Sequence, residues 1–589
     1  MQTDMQTSMK EDIKKFFEGD VDDSPETLAK YSRDASVFEV LPQLVVYPKN
    51  AKDIERLVQW AMQKKTDAVD GELDQTISLS VRAAGTCMSG GSLNESIIVD
   101  IMRYMNRIGD IRPVAPYMMR PNFPNSTDVA IAAEIKVEPG VFYRDLETKL
   151  KAANLLLPCF TASKSINALG GMIGNNSGGE LTLRFGKMED YVKELKIVFF
   201  DGHEYTVKPL NRRELYTKMA ETTREGEIYK RIFDIVSNNE KTIAAAKPLV
   251  NKNSAGYYLW NVWRKDERGE EVFDLAQVIV GSQGTLGIVT EMTLRVVELP
   301  EKSRLVVAML PTLEHLGDIV DTILPFNPSS IESYDDKTFS LAARYFSEFV
   351  KEKGLLGTIR YALRFMPEFG MILRGGVPKL IMLIEFQGND ESALEAKCNG
   401  VMEMLKPFDL KTRKILDNKE VEKYWSVRRD SFSLLRKHSG TKHTAPFIDD
   451  IIVPPEYLPE FLPKINALIA KYPELTYTIA GHAGNGNFHI IPLMDFKNPK
   501  ILEIIPELSD KVYDLVLRYQ GSITAEHNDG IVRTPYLIKQ YGPEVVRLFG
   551  EVKNAFDPEA VFNPGKKVGG TLEYLKNHIA LEHDTTHSS

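Results

Sequence analysis

Cysteine is scarce in this 589-residue chain, and its three cysteines, Cys87, Cys159 and Cys398, stand far apart in the sequence. Neither a CxxC zinc knuckle nor a four-cysteine iron–sulfur site can be built from that set alone. Any redox centre is therefore expected to be organic, or to be ligated by oxygen and nitrogen.

An excess of positive charge is also missing. Lysine and arginine number 73 against 82 acidic residues, which gives a net charge of −9 and a pI near 5.8. Such a chain has no overall electrostatic attraction for nucleic acid or for anionic lipid. We therefore expect no nucleic-acid partner.

Long hydrophobic runs are absent too. No stretch reaches the 18 apolar residues of a membrane span, and the first 20 residues hold no apolar core of signal-peptide length. A cytoplasmic location is expected. One segment, FMPEFGMILRGGVPKL at residues 365–380, mixes apolar and basic side chains, which fits either a lid or packing loop or a peripheral contact with the inner face of the membrane.

What is present is an ordinary globular composition, 43% hydrophobic and 26% charged, long enough for several folding units. Strand and helix patterns alternate from Gln43, and the rhythm changes after Pro300. The order predicts an α+β chain with antiparallel sheets and helices. The predicted divisions are a flexible tail at 1–25, a first domain at 26–300, a second domain at 301–498, a helical segment at 499–569 and a tail at 570–589.

Three glycine-rich loops are the first candidates for chemistry. RAAGTCMSGGS at 82–92 joins two β runs, ASKSINALGGMIGNNSGG follows at 162–179, and VGSQGTLGIVTE lies at 280–291. Loops of this kind expose successive backbone N–H groups without Cβ obstruction, a geometry that wraps a pyrophosphate. The first is neither a Walker A motif nor GxGxxG followed by a helix. Taken alone, it would equally suit a tight strand connection.

Together the three loops resemble the FAD-binding domain of the vanillyl-alcohol oxidase superfamily, the PCMH-type FAD domain. Within it the sequence resembles the FAD-dependent D-2-hydroxyacid dehydrogenases that act on D-lactate, glycolate or D-2-hydroxyglutarate, over about residues 35–567. The resemblance implies a two-subdomain PCMH-type FAD-binding domain. It also implies a ferredoxin-like antiparallel sheet domain, followed by a C-terminal helical segment that returns to the flavin.

The resemblance implies that FAD is bound noncovalently, because the first loop has no histidine of the kind that often tethers the flavin. Attachment through Cys87 is the alternative, although a lone cysteine in a packed loop is usually inert. The closing turn FNPGKK offers Asn563 and Lys566 as flavin contacts, or a plain Pro-Gly turn. The residues implied to bind FAD are Arg82, Gly85, Thr86, Cys87, Met88, Ser89, Gly90, Gly91, Ser92, Gly170, Gly171, Asn176, Gly178, Gly179, Gly284, Gly287, Ile288, Val289 and Asn563.

A histidine motif, AGHAGNGNFHI, occupies residues 480–490. On a straight strand His482 and His489 would face opposite sides, but Gly484 and Gly486 let the chain turn so that both can converge on one ion. Two histidines alone are weak evidence for a metal, because neutral imidazole also satisfies hydrogen bonds in a core.

A second motif, SITAEHNDGIVR at 522–533, sets Glu526 beside His527. In extended backbone these side chains point apart, so that one can ligate an ion and the other can face a substrate. By the resemblance, His482, His489 and Glu526 would bind a divalent metal, either Zn²⁺, Mn²⁺ or Fe²⁺.

The resemblance also assigns His527 as the general base and Asn487 as a substrate contact. Asn528 stands where relatives commonly have glycine, and asparagine tolerates left-handed backbone.

Recognition of a carboxylate favours arginine, whose planar fork grips both oxygens. In KYWSVRRDSF the resemblance gives this role to Arg428, while Arg429 is expected to pair with a surface acid. Relatives carry a substrate lysine where this chain has Ile448, and Lys442 is a candidate replacement. The adjacent acids Asp449 and Asp450 are expected to be strand-edge residues rather than an acid–base pair.

These features predict oxidation of a small D-2-hydroxy acid to its 2-oxo acid by hydride transfer to FAD, with help from a metal. Electrons would leave to a separate acceptor, such as a quinone, an iron–sulfur protein or an electron-transfer protein, and a homodimer is left open. Two alternatives stand beside this prediction. One is a non-redox flavoenzyme of the alkylglycerone-phosphate synthase type, and the other is a metal-binding protein without flavin.

Overall fold

The computed structural model of the protein describes residues 9–67, 77–121, 126–266, 268–338, 378–417, 420–421, 424–425 and 442–581. Within these ranges no helix combines the length and the apolar character needed to cross a bilayer. The predicted lid or membrane-contact segment, 365–380, lies outside the described residues except for its last three positions. There Lys379 pairs with Asp336 at 2.7 Å.

The first domain begins with a four-stranded sheet of order β1-β2-β4-β3. β2 and β3 both pair in parallel with β4, whereas β1 is antiparallel to β2. Helix Ala51–Asp67 buries Ile54, Leu57, Val58 and Ala61, the spacing expected of an amphipathic helix that packs on a sheet. The strands are β1 Asp20–Asp22, β2 Leu44–Tyr47, β3 Leu79–Arg82 and β4 Ile97–Asp100.

A second sheet of the same domain is antiparallel, with the order β5-β6-β13-β8-β9 and β7 paired to β13. Residues Asp201 and Gly202 turn the chain between β8 and β9, and Gly202 has φ of +70°. The strands are β5 Ile108–Met119, β6 Val129–Val137, β7 Leu155–Leu156, β8 Val192–Val198, β9 Glu204–Val207 and β13 Ile288–Glu298.

A small three-stranded sheet and a group of helices complete the first domain. The strands are β10 Leu210–Asn211, β11 Trp263–Lys265 and β12 Glu271–Phe273. The helices of residues 140–280 are Tyr143–Lys151, Leu169–Asn175, Thr182–Phe185, Met188–Tyr191, Arg212–Met219, Arg224–Asn238, Glu240–Ala246 and Ala276–Ile279.

The second domain is built on an eight-stranded sheet of order β17-β14-β16-β15-β20-β21-β18, with β19 paired to β21, and all its pairings are antiparallel. Strand β14 is apolar on both faces because both are covered: Val306, Ala308 and Leu310 join the main core, and its alternate residues pack near Trp425. The strands are β14 Lys302–Leu310, β15 Ser330–Asp335, β16 Leu380–Gly388, β17 Lys411–Ile415, β18 His443–Thr444, β19 Ile451–Ile452, β20 Thr476–His482 and β21 Asn487–Met494.

Helices Leu316–Ile323, Glu391–Met404 and Leu458–Ile469 belong to the second domain, and helices dominate beyond it. The later helices are Ile501–Arg518, Gly530–Arg533, Leu537–Phe556 and Leu572–Asn577. Only the short segment 299–301 separates β13 of one sheet from β14 of the next, which is where the sequence predicts the domain boundary. The structure confirms the α+β class.

Three details differ from the sequence-based expectation. The predicted tail at 1–25 packs from Met9 onward, because Met9, Ile13 and Phe17 form an apolar stripe that is buried in the core. At the other end, Leu575 and Ile579 are buried, so the described part of the predicted tail at 570–589 packs on the core.

The third difference lies in the second glycine loop. Its first part, Leu169–Asn175, is a helix rather than a loop. Leu169, Met172 and Ile173 are buried at helical spacing and outweigh the low helix propensity of the glycines between them.

Candidate active site

The hairpin of β20 and β21 brings two histidines together. His489 is opposite Ala480 in the register, two positions before His482, and Gly486 supplies the left-handed turn residue with φ of +72°. The two imidazole rings meet edge to face with their centroids 5.3 Å apart. The convergence of His482 and His489 through the glycine turn is thus present in the fold.

Each of these rings is oriented by a buried carboxylate. Nδ1 of His482 lies 2.6 Å from Oε1 of Glu332, and Nδ1 of His489 lies 3.2 Å from Oδ1 of Asp449. Because Nδ1 is occupied in each ring, Nε2 is the atom left to face the partner ring. The two Nε2 atoms are 3.3 Å apart.

This arrangement fits a divalent cation. Two Nε2 lone pairs facing each other at 3.3 Å repel unless a shared proton or a cation lies at them. Oε1 of Glu526 lies 3.6 Å from Nε2 of His482. Tetrahedral ligands with bonds of about 2.0–2.2 Å stand about 3.3–3.6 Å from one another, so these separations require little rearrangement. Donor atoms of Asp450, His489, Glu526 and His527 also lie within 4.8 Å of one another.

Glu526 has a second partner that the sequence did not indicate. The ammonium of Lys252, which has no solvent exposure, donates to Oε1 of Glu526 at 2.5 Å. Burial alone would raise the pKa of Glu526, but Lys252 and His482 hold that pKa well below its usual range. Glu526 is therefore a carboxylate at neutral pH.

Nδ1 of His527 lies 2.9 Å from Oδ2, the other oxygen of Asp449, in an ion-pair contact. Its ring stacks on that of His489, with centroids 5.1 Å apart. Burial lowers the pKa of His527, but Asp450 and Asp449 outweigh this and raise it to about 9. The Asp449 pKa is lowered, because His489 and His527 outweigh the effect of its burial. The His527 side chain keeps 23% of its exposure, so a substrate can reach it.

Asp450 fixes the backbone of the Glu526–His527 loop. Its Oδ2 accepts hydrogen bonds from the backbone N–H groups of residues 525, 526 and 527 and from the hydroxyl of Thr524, at 2.7–2.9 Å. Asn528 then adopts φ of +67°, the left-handed conformation anticipated for it. Asp449 and Asp450, expected to be ordinary strand-edge acids, are instead fully buried organisers of the site.

The chain that follows His527 touches all three glycine loops. Asn528 donates through Nδ2 to the carbonyls of Gly281, at 2.8 Å, and Gly174, at 3.3 Å. Ile531 N–H donates to the carbonyl of Ser89 at 2.8 Å. From the second loop, a Cβ placed on Gly178 would lie 3.5 Å from Oε1 of Glu526. The histidine cluster and the glycine loops therefore form one site.

The glycines of these loops differ in the room they leave for a side chain. A Cβ on Gly171 would meet only Ala83, at 3.5 Å, and one on Gly284 would meet only Val81, at 3.8 Å. Gly179 is different, because its Cβ would strike the carbonyl oxygen of Phe160 at 2.2 Å. Some of the glycines therefore have few protein neighbours, as the close approach of a flat ring or a pyrophosphate would need, and others are required by packing.

Several residues predicted to touch FAD make hydrogen bonds to other protein groups through their polar side-chain atoms. Arg82 donates to the carbonyls of Tyr31 and Arg33, and Asn176 exchanges hydrogen bonds with Glu189. Asn563 accepts from Ser80 and donates to the carbonyls of Gly91 and Gln283. These side chains hold the cofactor loops in place. The thiol of Cys87 lies 3.2 Å from the hydroxyl of Ser89, and burial raises its pKa.

Of the residues predicted to contact the substrate, Asn487 lies in the site, Arg428 falls outside the described residues, and Lys442 lies far from the histidines. Asn487 is fully buried and donates to Oδ1 of Asp450 and to the carbonyl of Ile451, while its own Oδ1 has no hydrogen-bond partner among the described residues. Arg428 and Arg429 lie outside the described residues. Lys442 donates to Glu474 O and Thr476 Oγ1 at the start of β20, about 20 Å along the strand from His482. This position does not suit the replacement role considered for Lys442.

Sequence reasoning missed four residues of the site, namely Glu332, Lys252, Gln283 and Asp449 as an orienting group. Gln283 accepts from Gly530 N–H through Oε1 and approaches Ser89 Oγ and Asn175 Oδ1 through Nε2. Each of these residues contacts a partner that is tens to hundreds of positions away in the sequence. The acid pair Asp449 and Asp450, directly before the apolar run IIVP at 451–454, was the one sequence feature that could have indicated Asp449.

This fold, with its glycine loops around one cradle, is a PCMH-type FAD-binding fold. Residues 42–208 match the family described as "FAD binding domain", and residues 299–567 match "FAD linked oxidases, C-terminal domain". The two matches together span about three quarters of the chain. The resemblance seen in the sequence, to a PCMH-type FAD-binding domain followed by an FAD-linked oxidase C-terminal domain, is confirmed by these two matches.

Named relatives are similar over most of the chain. "D-2-hydroxyglutarate dehydrogenase" of Escherichia coli (strain K12) is 27% identical over 557 residues, which are 93% of this chain and 50% of that protein. The chain thus spans about half the length of that relative. "Glycolate oxidase subunit GlcD" of Bacillus subtilis (strain 168) is 25% identical, covering 92% of this chain and 93% of that protein.

The fold also matches a solved structure of p-cresol methylhydroxylase with substrate bound. The TM-score is 0.64 at 13% identity, over 97% of this chain and 98% of the other. At this identity the likeness concerns the fold alone.

Proposed function

We propose that this chain is an FAD-dependent dehydrogenase of a small D-2-hydroxy acid, of the D-2-hydroxyglutarate, D-lactate or glycolate type. The observation that carries the proposal is the Glu526–His527 loop, which is seated against all three glycine loops. A base beside a flavin cradle is what removal of a hydroxyl proton together with a C2 hydride requires. The relatives' names support the choice of a 2-hydroxy acid.

In this proposal bound FAD would supply a two-electron acceptor for the C2 hydrogen of the substrate. His527 takes the proton of the 2-hydroxyl group at Nε2, because its Nδ1 faces the carboxylate of Asp449. Asp449 fixes the orientation of the ring and stabilises the imidazolium that forms, as the carboxylate does in Asp–His pairs of other enzymes. The products are the 2-oxo acid, a protonated His527 and a flavin reduced by two electrons.

His482, His489 and Glu526 would hold a divalent cation. The cation would supply a Lewis acid that polarises the 2-hydroxyl and lowers its pKa. Glu332 and Asp449 support the site by holding Nδ1 of the two histidines, so that Nε2 of each ring is available. A divalent charge nearby would also bring the raised pKa of His527 down toward neutrality.

Arg428 is proposed to bind the substrate carboxylate, and Asn487 to place the substrate near the cation. The fully buried Oδ1 of Asn487, which lacks a partner among the described residues, is suited to accept one hydrogen bond or to face a cation. Electrons would then pass to a separate acceptor, either a quinone, an iron–sulfur protein or an electron-transfer protein, rather than to oxygen.

The test is anaerobic bleaching of the bound flavin by a panel of D- and L-2-hydroxy acids. Bleaching by D-enantiomers or by glycolate, and not by L-enantiomers, supports the proposal. A yellow protein that no 2-hydroxy acid bleaches favours the non-redox synthase class, and a colourless protein that takes up no FAD favours a metal-binding protein. Rapid peroxide formation in air would overturn the preference for a separate acceptor.

A further inference from the structure

The second partner of Glu526 bears on how strongly the site can hold a cation. Lys252 has no solvent exposure, Glu526 has 6%, and the ammonium contacts the same Oε1 that faces Nε2 of His482. Since Glu526 is one of the three proposed ligands, a cation bound there would share this oxygen with Lys252.

The two positive charges would then be close. With a cation–oxygen bond of about 2.2 Å and an ammonium at 2.5 Å, they cannot stand more than about 4.7 Å apart. Neither group is screened by bulk water, so their repulsion is strong. The ammonium cannot swing into solvent either, because it is buried and also contacts the carbonyl of Gly179, at 3.5 Å.

The other buried lysines near this loop act differently. Lys187 donates to the carbonyls of Asn253 and Ala525 and to the hydroxyl of Ser254. Lys567 donates to two carbonyls and pairs with Asp529. Among the described residues, Lys252 is the one lysine in contact with a proposed ligand of the cation.

We propose that Lys252 competes with the cation for Glu526 and keeps the affinity of this site for divalent metals low. The proposal rests on the cation site described under the proposed function and adds to it. Without Lys252, Glu526 would be a buried carboxylate that has lost its lysine partner, a state that a bound metal relieves. Substitution of Lys252 by a neutral residue therefore tightens metal binding.

The experiment measures Zn²⁺ and Mn²⁺ binding to the full FAD-loaded chain, after treatment with a chelator, by competition with a chromophoric indicator. Lys252→Met and Lys252→Gln both remove the charge, and Lys252→Gln keeps a donor for Glu526. Lys65→Met is the matched control, since Lys65 is also buried but donates to the carbonyls of Glu559 and Ala560. Glu526→Gln removes the shared ligand.

Both Lys252 variants are expected to bind metal at least about tenfold more tightly than the wild type, by the charge argument above. Lys65→Met is expected to bind like the wild type, and Glu526→Gln more weakly. If a Lys252 variant is poorly stable, the metal-induced rise of its thermal midpoint must still exceed that of the wild type, because ligand binding stabilises the folded state in proportion to affinity.

Two results would overturn the proposal in distinguishable ways. If Glu526→Gln weakens binding but both Lys252 variants bind with wild-type or lower affinity, the competition is wrong and the cation site stands. If neither the wild type nor the Lys252 variants bind metal, or if Glu526→Gln changes nothing, the cation site itself is wrong and the role of Lys252 falls with it.

Discussion

His527 lies with its Nδ1 2.9 Å from Oδ2 of Asp449, a carboxylate with no solvent exposure. The other oxygen of Asp449 approaches Nδ1 of His489 at 3.2 Å. One acid thus orients both the proposed base and a proposed metal ligand. The proposed chemistry depends on this carboxylate as much as on the histidines.

The first prediction concerns Asp449→Asn. The amide offers one acceptor oxygen in place of two, so one of the two histidines is forced into the wrong tautomer. We expect flavin reduction by substrate to slow about 100-fold or more while the FAD content is unchanged. Rapid anaerobic mixing measures this rate.

Asp450→Asn is the contrasting variant. Because Asp450 accepts hydrogen bonds from four donors of the loop, we expect Asp450→Asn to lower the thermal midpoint of the protein. If Asp449→Asn leaves the rate of flavin reduction unchanged, the orienting role of Asp449 is refuted.

Asn563 gives the second prediction. Its amide joins β3, the first glycine loop and the third through Ser80, Gly91 and Gln283. Asn563→Ala leaves a hydroxyl and two carbonyls without this partner, at a cost of about 1–3 kcal/mol for each group that stays buried. We expect FAD to bind at least tenfold more weakly, as measured by quenching of flavin fluorescence. Asn563→Asp keeps the backbone, with φ of +42°, and the acceptor. It sets a buried carboxylate oxygen against the carbonyls of Gly91 and Gln283, so its loss of affinity should be at least as large. Equal affinity in all three proteins would contradict this account.

The third prediction separates glycines that face the cofactor from glycines that are needed for packing. Gly171→Ala has room on the protein side, so the apoprotein should be as stable as the wild type, or slightly more stable because alanine favours the helix. FAD binding should weaken, since the new methyl group points into the cradle. Gly179→Ala should lower the thermal midpoint of the apoprotein as well, because its Cβ strikes Phe160 O. Thermal scans with and without FAD make the comparison, and full FAD affinity in Gly171→Ala would place the flavin elsewhere.

The sequence predicts more of the fold than of the site. Periodic strands such as β14, β15 and β16 and the helix at 391–404 are local patterns, and the sequence indicates them correctly. The helix at Leu169–Asn175 was missed because five glycines within residues 169–179 outweigh three apolar residues in any local reading.

In the site, too, features set by the local sequence could be predicted, and contacts between residues distant in sequence could not. The convergence of His482 and His489 could be predicted from two glycines and a strand period. The contacts Lys252–Glu526 and His482–Glu332 join residues 274 and 150 positions apart, and no local pattern carries them. Packing decides these pairs, and packing is not readable from one sequence.

The fourth prediction concerns pH. Lys566 is buried with its ammonium on the carbonyl of Leu93, and burial lowers its pKa to about 8. Between about pH 8 and pH 10.5 the unfolded chain holds a proton that the folded chain has released, so this group makes the free energy of unfolding rise with pH. Over that interval the gain approaches about 3 kcal/mol.

Lys566→Met lacks this contribution. The thermal midpoint of Lys566→Met minus that of the wild type should therefore be higher at about pH 7.5 than at about pH 10. Thermal unfolding of both proteins at the two pH values makes the comparison. A difference between the two midpoints that does not vary with pH would show that Lys566 does not titrate as stated.

The central claim, that an imidazole base works beside a flavin held by the glycine loops, is tested most directly by anaerobic flavin reduction in His527→Ala. We predict that this variant retains FAD at the wild-type ratio while reduction by the best D-2-hydroxy acid slows by about 10²- to 10⁴-fold. His203→Ala, a change at an exposed histidine, serves as the control and should react like the wild type. An unchanged reduction rate in His527→Ala would contradict the account.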